Sequence, residues 1–353
     1  MTFRTPKPEP LVLEVTDLVV TFPTDDGDVH AVGGLTFGVR ANETLGIVGE
    51  SGSGKSVTSM AVLGLLPKNA KVSGSIKLHG RELMGLTENE LRPIRGEEIA
   101  MVFQDALTAL NPVFTVGSQI AEAIQVHHEL SHKDVRERVM HLLDTVGIPN
   151  PDRRIDQYPH EFSGGMRQRA MIAMAIANEP SVLIADEPTT ALDVTIQAQV
   201  LEVFERIQDR TKSSVILITH DLGVVAGTAD RVLVMYAGRE AELANVDQLF
   251  YNPRHPYTRG LLASLPRVDG SRLARLNRIR GQPPSLMTIP TGCAFHPRCE
   301  DARLPSPCAT ERPELLSVEE RHRSACHFAL ELPELSTTDL AADAHDEGSV
   351  EKL

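Results

Sequence analysis

Gly49-Glu50-Ser51-Gly52-Ser53-Gly54-Lys55-Ser56 fits the pattern G-x-x-x-x-G-K-[ST] at every fixed position. Ahead of it, Thr44-Leu45-Gly46-Ile47-Val48 is a short apolar run that reads as a buried strand. Behind it, Val57-Thr58-Ser59-Met60-Ala61-Val62-Leu63 continues as a helix. Strand, Gly-rich turn and helix is the setting this pattern requires. The glycines let the backbone curl so that successive N–H groups face phosphate oxygens. The following helix adds its positive N-terminal end. Lys55 then reaches the β- and γ-phosphates, and Ser56 places a hydroxyl on Mg²⁺. Gly49, Ser51, Gly52, Ser53, Gly54 and Val57 complete the cradle. A Gly/Ser-rich turn that binds nothing is the bland alternative, and the intact strand–helix setting argues against it.

Outward from this loop the chain alternates strands and helices. Leu11–Val15, Leu18–Phe22 and Ala31–Val39 read as strands, with a turn at Asp25-Asp26-Gly27-Asp28. Gly74–Gly80 reads as a hairpin arm, and Ile99–Phe103 as a buried strand ending at Gln104. From about 106 to 162 the pattern is helical, with Ile120, Ile124, Val135, Val139, Leu142 and Leu143 at helical spacings. Ser163-Gly164-Gly165 opens a further helix, and its N-cap serine and free backbone N–H groups make a second anion site. Val182–Ala185, Val215–Ile218 and Arg231–Tyr236 are apolar strands separated by helices. That alternation predicts a mostly parallel, covered sheet, and ligands bind at the carboxyl ends of such strands. The Gly-rich loop, Gln104, Asp186-Glu187 and His220 all fall at strand ends, so one shared site is expected.

The chemistry follows from residue type. Asp186 suits a Mg²⁺ ligand acting largely through water. Glu187, one residue on, suits a group that polarises an attacking water. Phe22 precedes a turn and offers a face for a nucleotide base, or equally packs into a core.

The chain has 353 residues and a net charge of −13, so it is expected not to bind nucleic acid. From Glu331 onward it carries seven acidic residues against Lys352. No segment approaches the roughly 18 consecutive apolar residues of a membrane span. The N-terminus lacks an apolar signal core. A cytosolic chain is expected, any membrane role coming through partners. Residues 1–10 read as a flexible Pro-rich arm, and 331–353 as an acidic disordered tail.

Several motifs now carry a resemblance. Phe162-Ser163-Gly164-Gly165-Met166-Arg167-Gln168-Arg169 resembles the signature motif of ATP-binding-cassette (ABC) ATPases. Gln104 resembles the Q-loop residue, Ala191-Leu192-Asp193 the D-loop, and His220 the switch histidine. Phe22 matches the adenine-stacking position, which is usually Tyr. Phe162 stands where the family mostly has Leu, and Met166 where it has Gln; Ser163 and the glycine N–H groups remain. The order and spacing match from about residue 11 to 245.

The resemblance implies an α/β P-loop NTPase (ABC ATPase) fold over 11–250. It has a mixed or parallel sheet core, an N-terminal antiparallel β subdomain and a helical insertion at about 106–170. It implies ATP and Mg²⁺, with Ser56, Gln104 and Asp186 around the metal. Glu187 would activate water and His220 would contact the γ-phosphate. The partner's Ser163, Gly164, Gly165 and Asp193 positions would close the site in a head-to-tail dimer.

The segment 251–330 is a small C-terminal extension holding all four cysteines. Asn252–Leu262 and the pattern C-x5-C-x8-C-x17-C on Cys293, Cys299, Cys308 and Cys326 resemble the C-terminal region of oligopeptide, dipeptide and nickel importers. Four thiols in a reducing compartment favour metal over disulfides. Ligand chemistry alone leaves tetrahedral Zn²⁺ and an iron–sulfur cluster equally open, and free cysteines or disulfides remain. The resemblance implies a [4Fe–4S] cluster, with Zn²⁺ the alternative, acting as a staple in a segment poor in apolar periodicity.

The expectation is an ABC importer ATPase for peptides or a related solute (nickel, glutathione-like compounds, oligosaccharides), at the cytoplasmic face of the cell membrane. Its partners would be a second ATPase subunit, a paralogue in preference to a second copy, two transmembrane permeases and an extracytoplasmic solute-binding protein. A soluble non-transport ABC ATPase is the rival class.

Overall fold

Asp25-Asp26 closes a hairpin, as its turn chemistry implies: β1 (Leu11–Thr24) pairs antiparallel with β2 (Gly27–Arg40). The computed structural model describes residues 10–105, 109–190, 193–265 and 279–333. Residues 1–9 of the expected arm over 1–10, most of the tail (334–353), and Ala191 and Leu192 lie outside these residues. The two short strands expected before the turn are one bulged strand, with register shifts around Asp17. β3 (Thr44–Val48) leads into the Gly-rich loop, and β4 (Lys71–Leu78) and β5 (Arg81–Glu82) complete a four-stranded antiparallel sheet of order β2-β1-β4-β5.

The main sheet adds β6 (Ile99–Val102), β7 (Val182–Asp186), β8 (Ser214–Thr219), β9 (Arg231–Tyr236) and β10 (Arg239–Asn245). β11 (Leu316–Glu319) and β12 (His322–Ser324) close it. Its order is β11-β12-β10-β9-β3-β8-β7-β6. The five strands from β9 to β6 are parallel, and β10, β12 and β11 join antiparallel. β7 and β8 are unbroken apolar runs because both of their faces are covered. Leu183, Ala185, Val215 and Leu217 feed one hydrophobic core; Val182, Ile184, Ile216 and Ile218 feed another. Each such fully buried valine, leucine or isoleucine side chain contributes about 1.5–3 kcal/mol.

The helical stretch forms as its periodicity implies. Ile120 and Ile124 lie on the helix Val116–Gln125, and Val135, Val139, Leu142 and Leu143 on His132–Thr145; all six are buried. Thr115 and Ser131 cap these helices through their side-chain oxygens.

Two expectations need correction. Phe103 is not part of the buried strand: β6 stops at Val102 and Phe103 is exposed. The cysteine-bearing extension is not coreless. It contributes β11 and β12 to the main sheet and Phe295 to an aromatic cluster with Tyr236 and Tyr257. Three rings spread through sequence leave no periodic signal. No helix among the described residues is long and apolar enough to cross a membrane.

Candidate active site

β3, β8, β7 and β6 are adjacent and parallel, so their carboxyl ends lie side by side. Val48 pairs with Thr219 and Asp186 with Ile218, which brings the Gly-rich loop, the carboxylate pair and His220 to one edge. Only glycine fits two points of the loop. A Cβ on Gly49 would lie 2.3 Å from the Met235 carbonyl oxygen. Gly54 has φ +99°, and a Cβ there would lie 2.4 Å from the Ala31 carbonyl oxygen.

The loop is preformed for an anion. Lys55 heads the helix Lys55–Val62 and folds back over the loop, its Nζ donating to the Gly49 carbonyl at 2.7 Å and the Glu50 carbonyl at 3.0 Å. Burial lowers the Lys55 pKa, and the carboxylates of Glu187, Asp186 and Glu50 oppose that shift. Ser51 and Gly52 are exposed; Ser53 and Gly54 are buried; Ser56 and Val57 are half-buried. The Ser56 hydroxyl donates to Asp186 Oδ1 at 3.1 Å. Asp186 is 4% exposed, and burial raises its carboxyl pKa. A buried carboxylate beside a hydroxyl at the end of a phosphate loop is a donor set suited to Mg²⁺.

Glu187 is the junction of the site. Its φ is +47°, a conformation that costs a non-glycine residue about 1–3 kcal/mol. Its N–H donates to the Ile218 carbonyl at 2.8 Å, which turns the side chain off the strand. Gln104 Nε2 donates to its Oε2 at 3.0 Å, and Thr190 Oγ1 donates to the same oxygen at 2.8 Å. His220 Nδ1 stands 3.5 Å from its Oε1. The structure therefore brings Gln104, Glu187 and His220 together as the sequence pattern implies. Thr190 was not singled out from sequence, although its spacing of three from Glu187 is the one local signal for it.

Phe22 is half-buried near the β1–β2 turn, opposite Val29, and packs partly on the core. Ser163 caps the helix Gly164–Ala175, accepting from Met166 N–H. Ser163 and Gly164 are exposed and Gly165 is buried. Phe162 is buried beneath the Arg154 guanidinium, so the aromatic substitution in the motif is absorbed in the core. Asp193 is exposed and caps the helix Val194–Thr211, accepting from Ile196 N–H at 3.0 Å.

A model of the ABC transporter family matches residues 32–190, and one of the oligopeptide/dipeptide transporter C-terminal region matches 241–305. The oligopeptide transport ATP-binding protein OppD of Salmonella typhimurium is 52% identical over 299 residues, spanning 85% of this chain and 89% of that protein. The chain belongs to the ABC transporter family of oligopeptide and dipeptide transport ATP-binding proteins. The dipeptide transport ATP-binding protein DppD of Bacillus subtilis is 56% identical over 290 residues, spanning 82% of this chain and 86% of that protein. OppD of Mycobacterium tuberculosis is 55% identical over 316 residues; the match spans 89% of this chain and 51% of that longer protein. Among solved structures, the dimeric bacterial ABC transporter cassette MJ0796 superposes with a TM-score of 0.60 at 24% identity, covering 66% of this chain and 98% of that one. cbiO1 of Clostridium perfringens, part of an ABC transporter complex, gives 0.59 at 29%, covering 69% and 91%.

In this ABC ATP-binding protein the four cysteines are free, and all line one small recess with His255, Phe295, His296 and His327. Burial pushes the Cys293, Cys299 and Cys326 thiols up, Cys299 to about 12 and Cys326 to about 11, so a cation is needed to draw out these thiolates. Among the described residues no three His, Cys, Asp or Glu side chains converge to hold a single metal ion.

The same extension reaches the Gly-rich loop. Pro283–Met287 and Val29 wall a recess of about 360 Å³ over Glu50–Ser53, and His30 N–H donates to the Leu286 carbonyl. Sequence reasoning missed this neighbourhood, because no local pattern links residues more than 200 positions apart.

Proposed function

We propose that the chain is the ATP-hydrolysing subunit of an ABC importer that powers uptake of di- or oligopeptides. The observation that carries the ATPase reading is Glu187: one carboxylate bonded to Gln104 and Thr190 and facing His220, one residue beyond Asp186. The relatives' printed names and the matched C-terminal region support the peptide reading. Nickel, glutathione-like compounds and oligosaccharides are alternative cargoes. A soluble non-transport ABC ATPase is the rival class.

In this reading the loop Gly49–Ser56 and Val57 hold the ATP phosphates and Phe22 faces the adenine. Ser56, Asp186 and Gln104 would hold Mg²⁺, which neutralises charge on the phosphates when bound. Glu187 accepts the proton of the attacking water, with Gln104 and Thr190 fixing its carboxylate. His220 places its ring at the γ-phosphate. Ser163, Gly164, Gly165 and Asp193 of a facing ATPase chain close the site.

That facing chain is a paralogue in preference to a second copy. Two transmembrane permeases and an extracytoplasmic solute-binding protein complete the assembly, with the ATPase subunits at the cytoplasmic face of the membrane. We assign 11–250 to the ATPase unit, about 106–170 to its helical insertion, and 251–330 to the importer-type extension.

We also propose the four thiols as ligands of a [4Fe–4S] cluster, with Zn²⁺ the alternative. A four-iron cluster spreads its thiolates farther apart than one tetrahedral ion does. Four thiols lining one recess support a shared metal group, and the resemblance of the cysteine pattern to the importer C-terminal region supports the cluster over zinc. Anaerobic purification with iron and zinc analysis tests this; a colourless protein with stoichiometric zinc refutes it.

The ATPase reading is tested with Glu187→Gln in the full chain, assembled with its facing ATPase subunit. ATP should still bind, and turnover should fall by about 100-fold or more, with ATP-stabilised dimers accumulating on size-exclusion chromatography. Wild-type turnover in that variant would remove Glu187 from the chemistry.

A further inference from the structure

The second residue of the phosphate loop is gripped by the C-terminal extension. The Glu50 carboxylate accepts both arms of the Arg298 guanidinium, Nη1 to Oε2 at 2.5 Å and Nη2 to Oε1 at 2.9 Å. Its backbone N–H donates to the Tyr257 hydroxyl at 2.8 Å. Its carbonyl accepts from Lys55 Nζ at 3.0 Å. One residue thus links the extension, through side chain and N–H, to the lysine that faces the phosphates.

The grip is rigid. The Arg298 side chain is 5% exposed, and its Nε donates to the Arg280 carbonyl at 2.9 Å. The guanidinium lies 5.8 Å from the Tyr236 ring and 6.0 Å from the Phe295 ring. Tyr257 packs on both rings, with centroids 4.7 and 5.4 Å apart. A bidentate fork fixes direction as well as distance, which a single ammonium does not. Ser51 and Gly52, the next two residues of the loop, are exposed, so Glu50 is the anchored end from which the loop's shape is set. A loop ordered before its ligand arrives loses less entropy on binding, and that appears as affinity.

We propose that Arg298, with Tyr257, is a positioning residue for the nucleotide site: it fixes Glu50 and so holds the phosphate loop and Lys55 in their binding shape. This rests on the reading that the loop binds ATP. The extension is then part of the ATP site itself.

The test is a double-mutant cycle in the full-length chain, using Mg·ATP binding and steady-state turnover. Arg298→Met and Glu50→Gln should each weaken ATP binding about tenfold, with kcat at saturating ATP falling less than about twofold. Because both break one contact, the double variant should also be about tenfold weaker, not about a hundredfold. Arg298→Lys keeps the charge and the stem, which guards against a folding loss, and should weaken binding about threefold. Wild-type affinity in folded Arg298→Met or Arg298→Lys overturns the proposal, as does a multiplicative double variant. Failure of the wild-type chain to bind ATP would sink the underlying reading of the loop instead.

Discussion

The Ser56 hydroxyl donates to the Asp186 carboxylate across 3.1 Å, which ties the first turn after the phosphate loop to the end of β7. This carboxylate is held at a cost. Burial raises its folded-state pKa above the ordinary value. Its linked stability is therefore present below the unfolded pKa and is lost as pH rises through the folded one. Asp186→Asn should melt higher than wild type at pH 7 without nucleotide, and the gap should close toward pH 4. If Asp186 holds Mg²⁺ as proposed, turnover should fall by at least about 100-fold. Thermal unfolding at the two pH values, with an ATPase assay, checks both halves; a variant that melts lower at pH 7 contradicts the assignment of the cost to burial.

His220 stands 3.5 Å from Glu187 and its side chain is 60% exposed, so little packing depends on it. His220→Ala should leave thermal stability within about 0.5 kcal/mol. Its contribution is expected only as charge develops in the transition state. Turnover should fall about 100- to 1000-fold while the affinity for ATP holds within about threefold. A rise in KM at constant kcat would instead make it a ground-state contact.

Much of this site is legible in the chain because its parts are local. The phosphate loop lies between a strand and a helix, and Asp186-Glu187 ends an apolar run, so each can be read from a few neighbours. Ser163 announces itself as a cap by the two glycines that follow. The contacts that join these pieces are not local. The backbone twist at Glu187 with φ +47° has no sequence signal, and neither does the Thr190 bond that steadies its carboxylate. Arg298 and Glu50 are 248 positions apart, and the Arg298 guanidinium sits against the rings of Tyr236 and Phe295, themselves brought together only by the fold. The extension's apolar residues, among them Tyr257, Leu262, Ile279, Leu286 and Phe295, are scattered along the sequence and give no periodic stripe to read.

Phe22 divides its surface between the core and the open side of the β1–β2 hairpin. An aromatic–base stack is worth about 1–3 kcal/mol, so Phe22→Ala should raise the KM for ATP about tenfold with kcat nearly unchanged. Phe22→Tyr keeps the ring and should differ from wild type by less than about twofold. Steady-state kinetics on the three proteins decides it. Equal KM values throughout would leave Phe22 a packing residue.

The adjacent glycines of the Ser163 turn separate a structural need from a need set by another chain. A Cβ on Gly165 would lie 2.8 Å from Ile196 Cγ2, on the helix that Asp193 caps. Gly165→Ala should therefore destabilise the chain by about 1–3 kcal/mol through overpacking. Gly164 is exposed, and a Cβ there meets no heavy atom within 4 Å. Gly164→Ala should leave the chain as stable as wild type or slightly more so, since alanine is the better helix former by up to about 1 kcal/mol. If the turn closes an ATP site on a facing subunit, the added methyl meets that subunit's nucleotide. Turnover should then fall at least about tenfold while melting temperature and ATP binding to the isolated chain stay unchanged. Melting curves, ATP binding and turnover of the assembled ATPase pair, measured side by side, make the distinction. Full turnover in Gly164→Ala would show that nothing approaches this turn closely, and would remove it from the composite site.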